Sequence, residues 1–326
     1  MMKLVYIFPG QSSLYPGMIT KLVRMHLPNG EMLAAASDFL HRDLAAHYQE
    51  DNPDIFASNR DIQVGVFLAN NMFLNILDHA GLSADISLGL SLGEYNHLVH
   101  IGAIPFREAL LTVEQRGLAY DGGPAGSMAS IFPIDIDELE GVVEKASRAG
   151  VLEIVNLNSP SQHVISGEQP AVEKALRILD EEHFASAVVI EKKIPMHCST
   201  FEPVGRKFRE HLETVPFAKP RLPYFPNRLG RPLDAPSRED FVDHLATHVH
   251  HPVLWRRSID TIVERWPDAV FVEVGPRKVL FGLLQKKWHR VHKFHVDSQE
   301  DTRSHLDAVI EKLAELATEG ARRHAV

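Results

Sequence analysis

Apolar residues along this chain fall in short runs whose spacing alternates between that of strands and that of helices. Leu4-Val5-Tyr6-Ile7-Phe8 is continuously apolar and closes on Pro9-Gly10, the pattern of a buried strand running into a loop. From about residue 62 to 80, Val66, Phe67, Met72, Phe73, Ile76 and Leu77 keep helical spacing. Ile86-Ser87-Leu88 predicts a second short strand. Gly89-Leu90-Ser91-Leu92-Gly93 follows at once, and then come helical patterns over 94–100 and 106–118. Strand, turn and helix in that order predict an α/β sheet of buried parallel strands.

The stretch from 127 to 193 has a rhythm of its own. Strands are expected over 127–132, 151–157, 162–166 and 187–191, and amphipathic helices over 136–148 and 171–184. The order βαββαβ is that of a split βαβ, ferredoxin-like unit able to close a small core alone. It predicts a small subdomain over 126–193, inserted into a larger domain made of 1–125 and 194–326. The larger domain resumes with a strand over 271–274, Gly275-Pro276, a helix over 279–287 and a last helix over 304–318.

Composition narrows the function classes. A hydrophobic fraction of 44% and a charged fraction of 24% are those of a folded globular protein. A net charge of −9 argues against a nucleic-acid binder, since a phosphate backbone rewards clustered Lys and Arg. No apolar run approaches the roughly 18 residues that span a bilayer, and the N-terminus lacks the pattern of a secretory signal, so no membrane role and a cytoplasmic location are expected. The single cysteine, Cys198, allows no internal disulfide. His248, His250 and His251 cluster without the spacing of a familiar metal site, and no metal is expected.

The chemistry centres on Gly89-x-Ser91-x-Gly93, the form of a nucleophile elbow. A sharp turn needs small flanking residues and presents the serine at a helix N-terminus, where free N–H groups and the helix dipole favour an oxyanion. The five-residue pattern alone arises by chance in roughly one such chain in ten or twenty. The strand before it and the helix after it strengthen the elbow reading; a glycine-containing turn with a capping serine is the alternative. A serine nucleophile needs a base, and sequence order does not choose one among 19 histidines. His197 stands where the chain leaves the inserted unit, beside an expected interdomain cleft; a surface or hydrogen-bonded structural histidine is the alternative. Arg116, on the second helix after the elbow, reads either as a surface charge or as a planar fork for a carboxylate.

In order and spacing the segments resemble the malonyl-CoA:acyl carrier protein transacylase family, including the stand-alone, trans-acting acyltransferases of polyketide synthases. The resemblance rests on Phe8-Pro9-Gly10-Gln11, Gly89-Leu90-Ser91-Leu92-Gly93-Glu94-Tyr95, Gln115-Arg116-Gly117 and Gly126-Ser127-Met128-Ala129. It continues through Asn156-Leu157-Asn158-Ser159-Pro160, Val164-Ile165-Ser166-Gly167, Pro195-Met196-His197-Cys198, His251-Pro252-Val253-Leu254-Trp255 and Glu273-Val274-Gly275-Pro276. It implies an α/β-hydrolase-like core with the ferredoxin-like insertion. It also implies Ser91 as nucleophile, His197 as base oriented by the His248 backbone carbonyl, and the Gln11 and Leu92 amides as oxyanion hole. Arg116 would hold the free carboxylate of a malonyl group.

The implied reaction carries malonyl from CoA to the phosphopantetheine thiol of an acyl carrier protein, in fatty acid or polyketide biosynthesis, with no bound cofactor. Three departures touch the acyl pocket: Leu90 stands where the family has histidine, Ser12 where it has glycine, and Met196 where an aromatic residue is common. A hydrolase that clears carrier proteins, a transferase of unusual acyl chains between carriers, and an inert docking subunit are the competing functions.

Overall fold

The computed structural model describes residues 3–284 and 292–324. They gather into two compact units, one of Met1–Gly117, Pro216–Tyr224 and Ile262–Val326, the other of Leu118–Val215 and Phe225–Thr261.

The first unit is built on a parallel sheet in the order β2-β1-β7-β8, with β1 Leu4–Phe8, β2 Ile86–Gly89, β7 Val270–Glu273 and β8 His292–His295. Val5 to Phe8 are fully buried, which explains why β1 carries no alternating polar positions: a central parallel strand is covered on both faces. The helix Asn59–His79 is apolar over most of its circumference because it too is interior, with Val64 to Met72 almost wholly removed from water. Ser58 caps its start by accepting from the Asp61 amide.

The second unit holds an antiparallel sheet in the order β4-β5-β3-β6, with β3 Ser127–Phe132, β4 Leu152–Ser159, β5 Gln162–Gly167 and β6 Ser186–Glu191. Leu139, Val142 and Ala146 of the helix Ile136–Ala146, and Ala171, Val172, Ala175, Ile178 and Leu179 of the helix Gln169–Glu182, close its core against Ala129, Ile131 and Ile165. Their spacing of three and four residues is what makes each helix one-faced. The unit runs beyond the 126–193 span to take in the helices Glu202–Leu212 and Arg238–His248.

The elements expected from periodicity are present with ends shifted by a few residues. The helix expected over 279–287 is seen as Val279–Leu283, and positions 285–287 lie outside the described residues. The last helix is longer than expected, running Thr302–His324. Strand β8 and the helices Met18–Met25, Leu27–Leu40, Glu202–Leu212, Arg238–His248 and Trp255–Arg265 carried no expectation.

Two backbone approaches fix the first unit at the turn after β2. A Cβ on Gly93 would lie 2.1 Å from the Phe8 carbonyl oxygen at the end of β1, and one on Gly89 would lie 2.0 Å from the Gly93 carbonyl. Gly93→Ala is therefore expected to destabilise by at least about 2 kcal/mol in urea unfolding. Gly141→Ala, in a helix where an added Cβ meets nothing within 4 Å, is expected to stabilise by about 1 kcal/mol.

Glu273 gives a pH-dependent counterpart. Its side chain accepts from the amides of Leu280 at 3.0 Å and Phe281 at 2.7 Å, yet burial outweighs those bonds and pushes the carboxyl up to about 7. The folded state thus holds this proton more tightly than the unfolded chain, whose ordinary value is 4.5, so stability is full below that value and is lost as pH rises through about 7. Against Glu273→Gln, which does not titrate, the wild-type protein is expected to lose on the order of 3 kcal/mol between about pH 4.5 and 7.5 in parallel melts.

Candidate active site

Ser91 follows β2 and precedes the helix Gly93–His100. The turn is closed by backbone bonds from the Gly93 amide to the Leu90 carbonyl (3.0 Å), from Glu94 to Ser91 (3.1 Å) and from Tyr95 to Leu92 (3.1 Å). Ser91 itself takes φ 52°, a left-handed conformation that costs a non-glycine residue of order 1–3 kcal/mol. The contacts of Gly89 and Gly93 explain why the serine has no freedom to relax: strand, turn and helix are in van der Waals contact through their main chains. A serine in a strained, half-exposed position at a helix start is the geometry that nucleophile elbows share.

Arg116 lies on the helix Phe106–Asp121 and is fully buried, which excludes the surface-charge reading. Its Nη2 donates to Ser91 Oγ at 3.2 Å and its Nη1 to Gln63 Oε1 at 2.8 Å, and the guanidinium lies 5.7 Å from the centre of the Tyr95 ring. Gly117 makes this possible. A side chain there would meet the Arg60 Cα at 2.4 Å, so the helix carrying Arg116 rests directly on the start of the helix carrying Gln63. Gln63 is fully buried and was missed in sequence; the signal is an amide directly before the apolar run that begins at Val64.

Gln11 opens a single 3₁₀ turn, Gln11–Ser13, after Gly10, and Leu92 is the cap position of the helix Gly93–His100. The first amides of helical turns have no intrahelical acceptor, so both are positions where an N–H is available for an incoming oxygen. Ser13 fixes the first turn, donating to the Gly10 carbonyl through its amide (3.1 Å) and its hydroxyl (2.9 Å). Leu90 is half-buried and its carbonyl lies 3.0 Å from where a Gly10 Cβ would be, so the two loops are packed backbone to backbone.

His197 belongs to the second unit. It is 2% exposed and also adopts a positive φ, 64°, held by a bond from its amide to the Val249 carbonyl at 3.0 Å. Its Nδ1 is 2.7 Å from the carbonyl oxygen of His248. A carbonyl can only accept, so Nδ1 carries the hydrogen and Nε2 of the neutral ring is left as the acceptor. The His248 ring stacks on it at 4.8 Å, and Met196 beside it is buried.

Burial raises the Cys198 thiol above its ordinary range, away from a reactive thiolate. His250 is held down to about 4, first by burial and then by His251, whose Nδ1 donates to the Thr247 carbonyl at 3.0 Å. Among the described residues no group of three or more His, Cys, Asp or Glu could hold a metal ion, and no helix is long and apolar enough to cross a membrane.

Comparison with known proteins shows the family. The acyl transferase domain family matches residues 5–308. The chain is similar to the malonyl CoA-acyl carrier protein transacylase of Bacillus subtilis (strain 168), at 29% identity over 92% of this chain and 95% of that protein. Among solved structures it is similar to the malonyl CoA-acyl carrier protein transacylase of Clostridium perfringens, with TM-score 0.88 and 28% identity over 98% of this chain and 99% of the other. It is also similar to a malonyl-transacylase solved in complex with its type II PKS acyl-carrier protein, with TM-score 0.86 and 27% identity over 95% and 99% of the two chains. A strained serine between strand and helix, a buried arginine on its hydroxyl and a match across nearly the whole length lead to one assignment: the chain belongs to the acyl transferase family that includes the malonyl CoA-acyl carrier protein transacylases.

Proposed function

We propose that this chain is a malonyl-CoA:acyl carrier protein transacylase working through an acyl-serine intermediate. The observation that carries the reading is the buried Arg116 guanidinium on Ser91 Oγ at 3.2 Å. An acyl group on that oxygen extends toward a planar cation, which favours an acyl chain ending in a carboxylate over a plain one.

In the first half-reaction Ser91 Oγ attacks the thioester carbonyl while its proton passes to Nε2 of His197. The Gln11 and Leu92 amides take the oxyanion, the C–S bond breaks, and the departing CoA sulfur takes the proton back. In the second half-reaction the phosphopantetheine thiol of a carrier protein gives its proton to His197 and attacks the acyl-serine, and Ser91 leaves as the alcohol. The tautomer set by the His248 carbonyl supports His197 in this role, since it leaves Nε2 ready to accept. The chemistry needs the CoA thioester and the carrier protein's phosphopantetheine thiol as substrates and no bound cofactor. Leu90 and Met196, at the positions where the chain departs from its family, are assigned to the acyl pocket.

The antiparallel order β4-β5-β3-β6 with its two helices supports reading 126–193 as a ferredoxin-like subdomain inserted in an α/β-hydrolase-like core of 1–125 and 194–326. The exposed cations Lys192, Lys193, Arg206, Lys207 and Arg257, with the half-buried Arg256, support docking of an acidic carrier protein. The setting is fatty acid or polyketide biosynthesis in the cytoplasm.

The test is intact-protein mass spectrometry after exposure to malonyl-CoA or acetyl-CoA, followed by holo carrier protein. Malonyl is expected on Ser91 and then on the carrier, with no adduct on Ser91→Ala. Arg116→Ala is expected to slow malonyl loading about 10- to 100-fold and to erase the preference over acetyl. Release of free malonate in place of transfer would establish the carrier-clearing hydrolase instead.

A further inference from the structure

The elbow and the turn that opens with Gln11 are joined by two buried amides. Asn70, on the helix Asn59–His79, donates through Nδ2 to the Pro9 carbonyl at 3.1 Å and to Asn96 Oδ1 at 2.9 Å. Asn96, on the helix that starts behind Ser91, donates through Nδ2 to the Phe67 carbonyl at 3.0 Å. Each NH₂ faces a main-chain carbonyl, of Pro9 for Asn70 and of Phe67 for Asn96, and a carbonyl can only accept, which fixes both amide orientations. Neither residue has any exposure, and both lie in helix interiors, where asparagine is a weak helix former. Packing alone would be met at lower cost by apolar side chains.

What the amides hold explains their presence. Pro9 leads β1 into Gly10 and Gln11, and the Pro9 carbonyl is tied by Asn70 while the Gly10 carbonyl is tied by Ser13. With both preceding carbonyls fixed, the direction of the Gln11 N–H is fixed too. Gly275 presses on the same point: a Cβ there would lie 2.2 Å from Asn70 Oδ1 and 2.5 Å from the Pro9 ring. Gln63, seven residues before Asn70 and so on the same helix face, orients Arg116. One helix face thus sets both the carboxylate clamp and the turn that begins at Gln11.

We propose that Asn70 and Asn96 are a positioning pair that aims the Gln11 amide at the oxygen forming on Ser91; this rests on the transacylase reading and on Gln11 as an oxyanion donor. The pair touches no substrate and acts through the main chain. Its removal should therefore lower the rate of the chemical step and leave substrate binding in place.

The experiment is single-turnover malonyl loading of Ser91 across a range of malonyl-CoA concentrations, for Asn70→Ala, Asn96→Ala and the double variant. The maximal loading rate is expected to fall about 10- to 100-fold in Asn70→Ala. Half-saturating malonyl-CoA should shift by less than about 3-fold, and the double variant should be no slower than the slower single one. Circular dichroism and thermal melts establish that each variant is folded. If Asn70→Ala does not fold, Asn96→Ala, which leaves the bond to Pro9 in place, carries the same comparison with a smaller loss. A folded variant that loads at the wild-type rate overturns the positioning role, as does a loss that falls on half-saturation or effects that multiply in the double variant. A wild-type protein that takes no malonyl on Ser91 overturns the transacylase reading itself, and a wild-type that loads normally separates the two failures.

Discussion

The first unit depends on close contact between main chains at the turn after β2. At Gly93 the helix behind the serine meets the carbonyl of Phe8, and at Gly89 the end of β2 meets Gly93, at separations where no side chain fits. That contact brings the last residue of β1, the elbow and the helix after it into one rigid corner, and it pushes Ser91 into a left-handed backbone conformation. Everything attached to the corner inherits its rigidity. The loop from Pro9 is packed on Leu90, and Arg116 reaches the serine hydroxyl from a helix that is itself seated on bare backbone at Gly117.

Much of this was legible because the relevant signals are local. A run such as Leu4–Phe8, too short for a helix and closed by Pro9-Gly10, reads as a covered strand, and the change of period from 127 onward separates the antiparallel sheet from the parallel one. Glycines flanking a serine between strand and helix state their own geometry. The helices that escaped notice lack such signals. Leu27–Leu40 has Pro28 in its first turn and includes Gly30, and its buried positions include Asn29 as well as Leu33, Ala36 and Leu40, so its apolar stripe is faint. Strand β8, His292–His295, joins the sheet edge with a half-exposed polar sequence that no hydrophobic pattern marks.

The polar residues that order the site were hidden for a related reason. Gln63, Asn70 and Asn96 are buried in helices that also bury other polar residues, among them Asp61, Asn71, Glu94 and His97, so hydrophobic periodicity does not single them out. Their meaning appears only when their partners are known: a guanidinium for Gln63, a loop carbonyl for Asn70, and the carbonyl of Phe67 for Asn96. Arg116 was ambiguous in sequence because the same helix spacing serves a solvent-facing cation and an interior one; what distinguishes them is Gly117, the next residue, which permits the burial.

The partner of His197 has an evolutionary consequence. The acceptor of its Nδ1 hydrogen is a peptide oxygen, at the last residue of the helix Arg238–His248. No codon change can delete a peptide oxygen, so the imidazole's tautomer is insured against point mutation in a way that a carboxylate partner would not be. The same oxygen is at the negative end of a helix dipole, which steadies positive charge on the ring without placing a full anion beside it. A histidine supported in this manner is robust in orientation but can be tuned only by shifting the helix end as a whole.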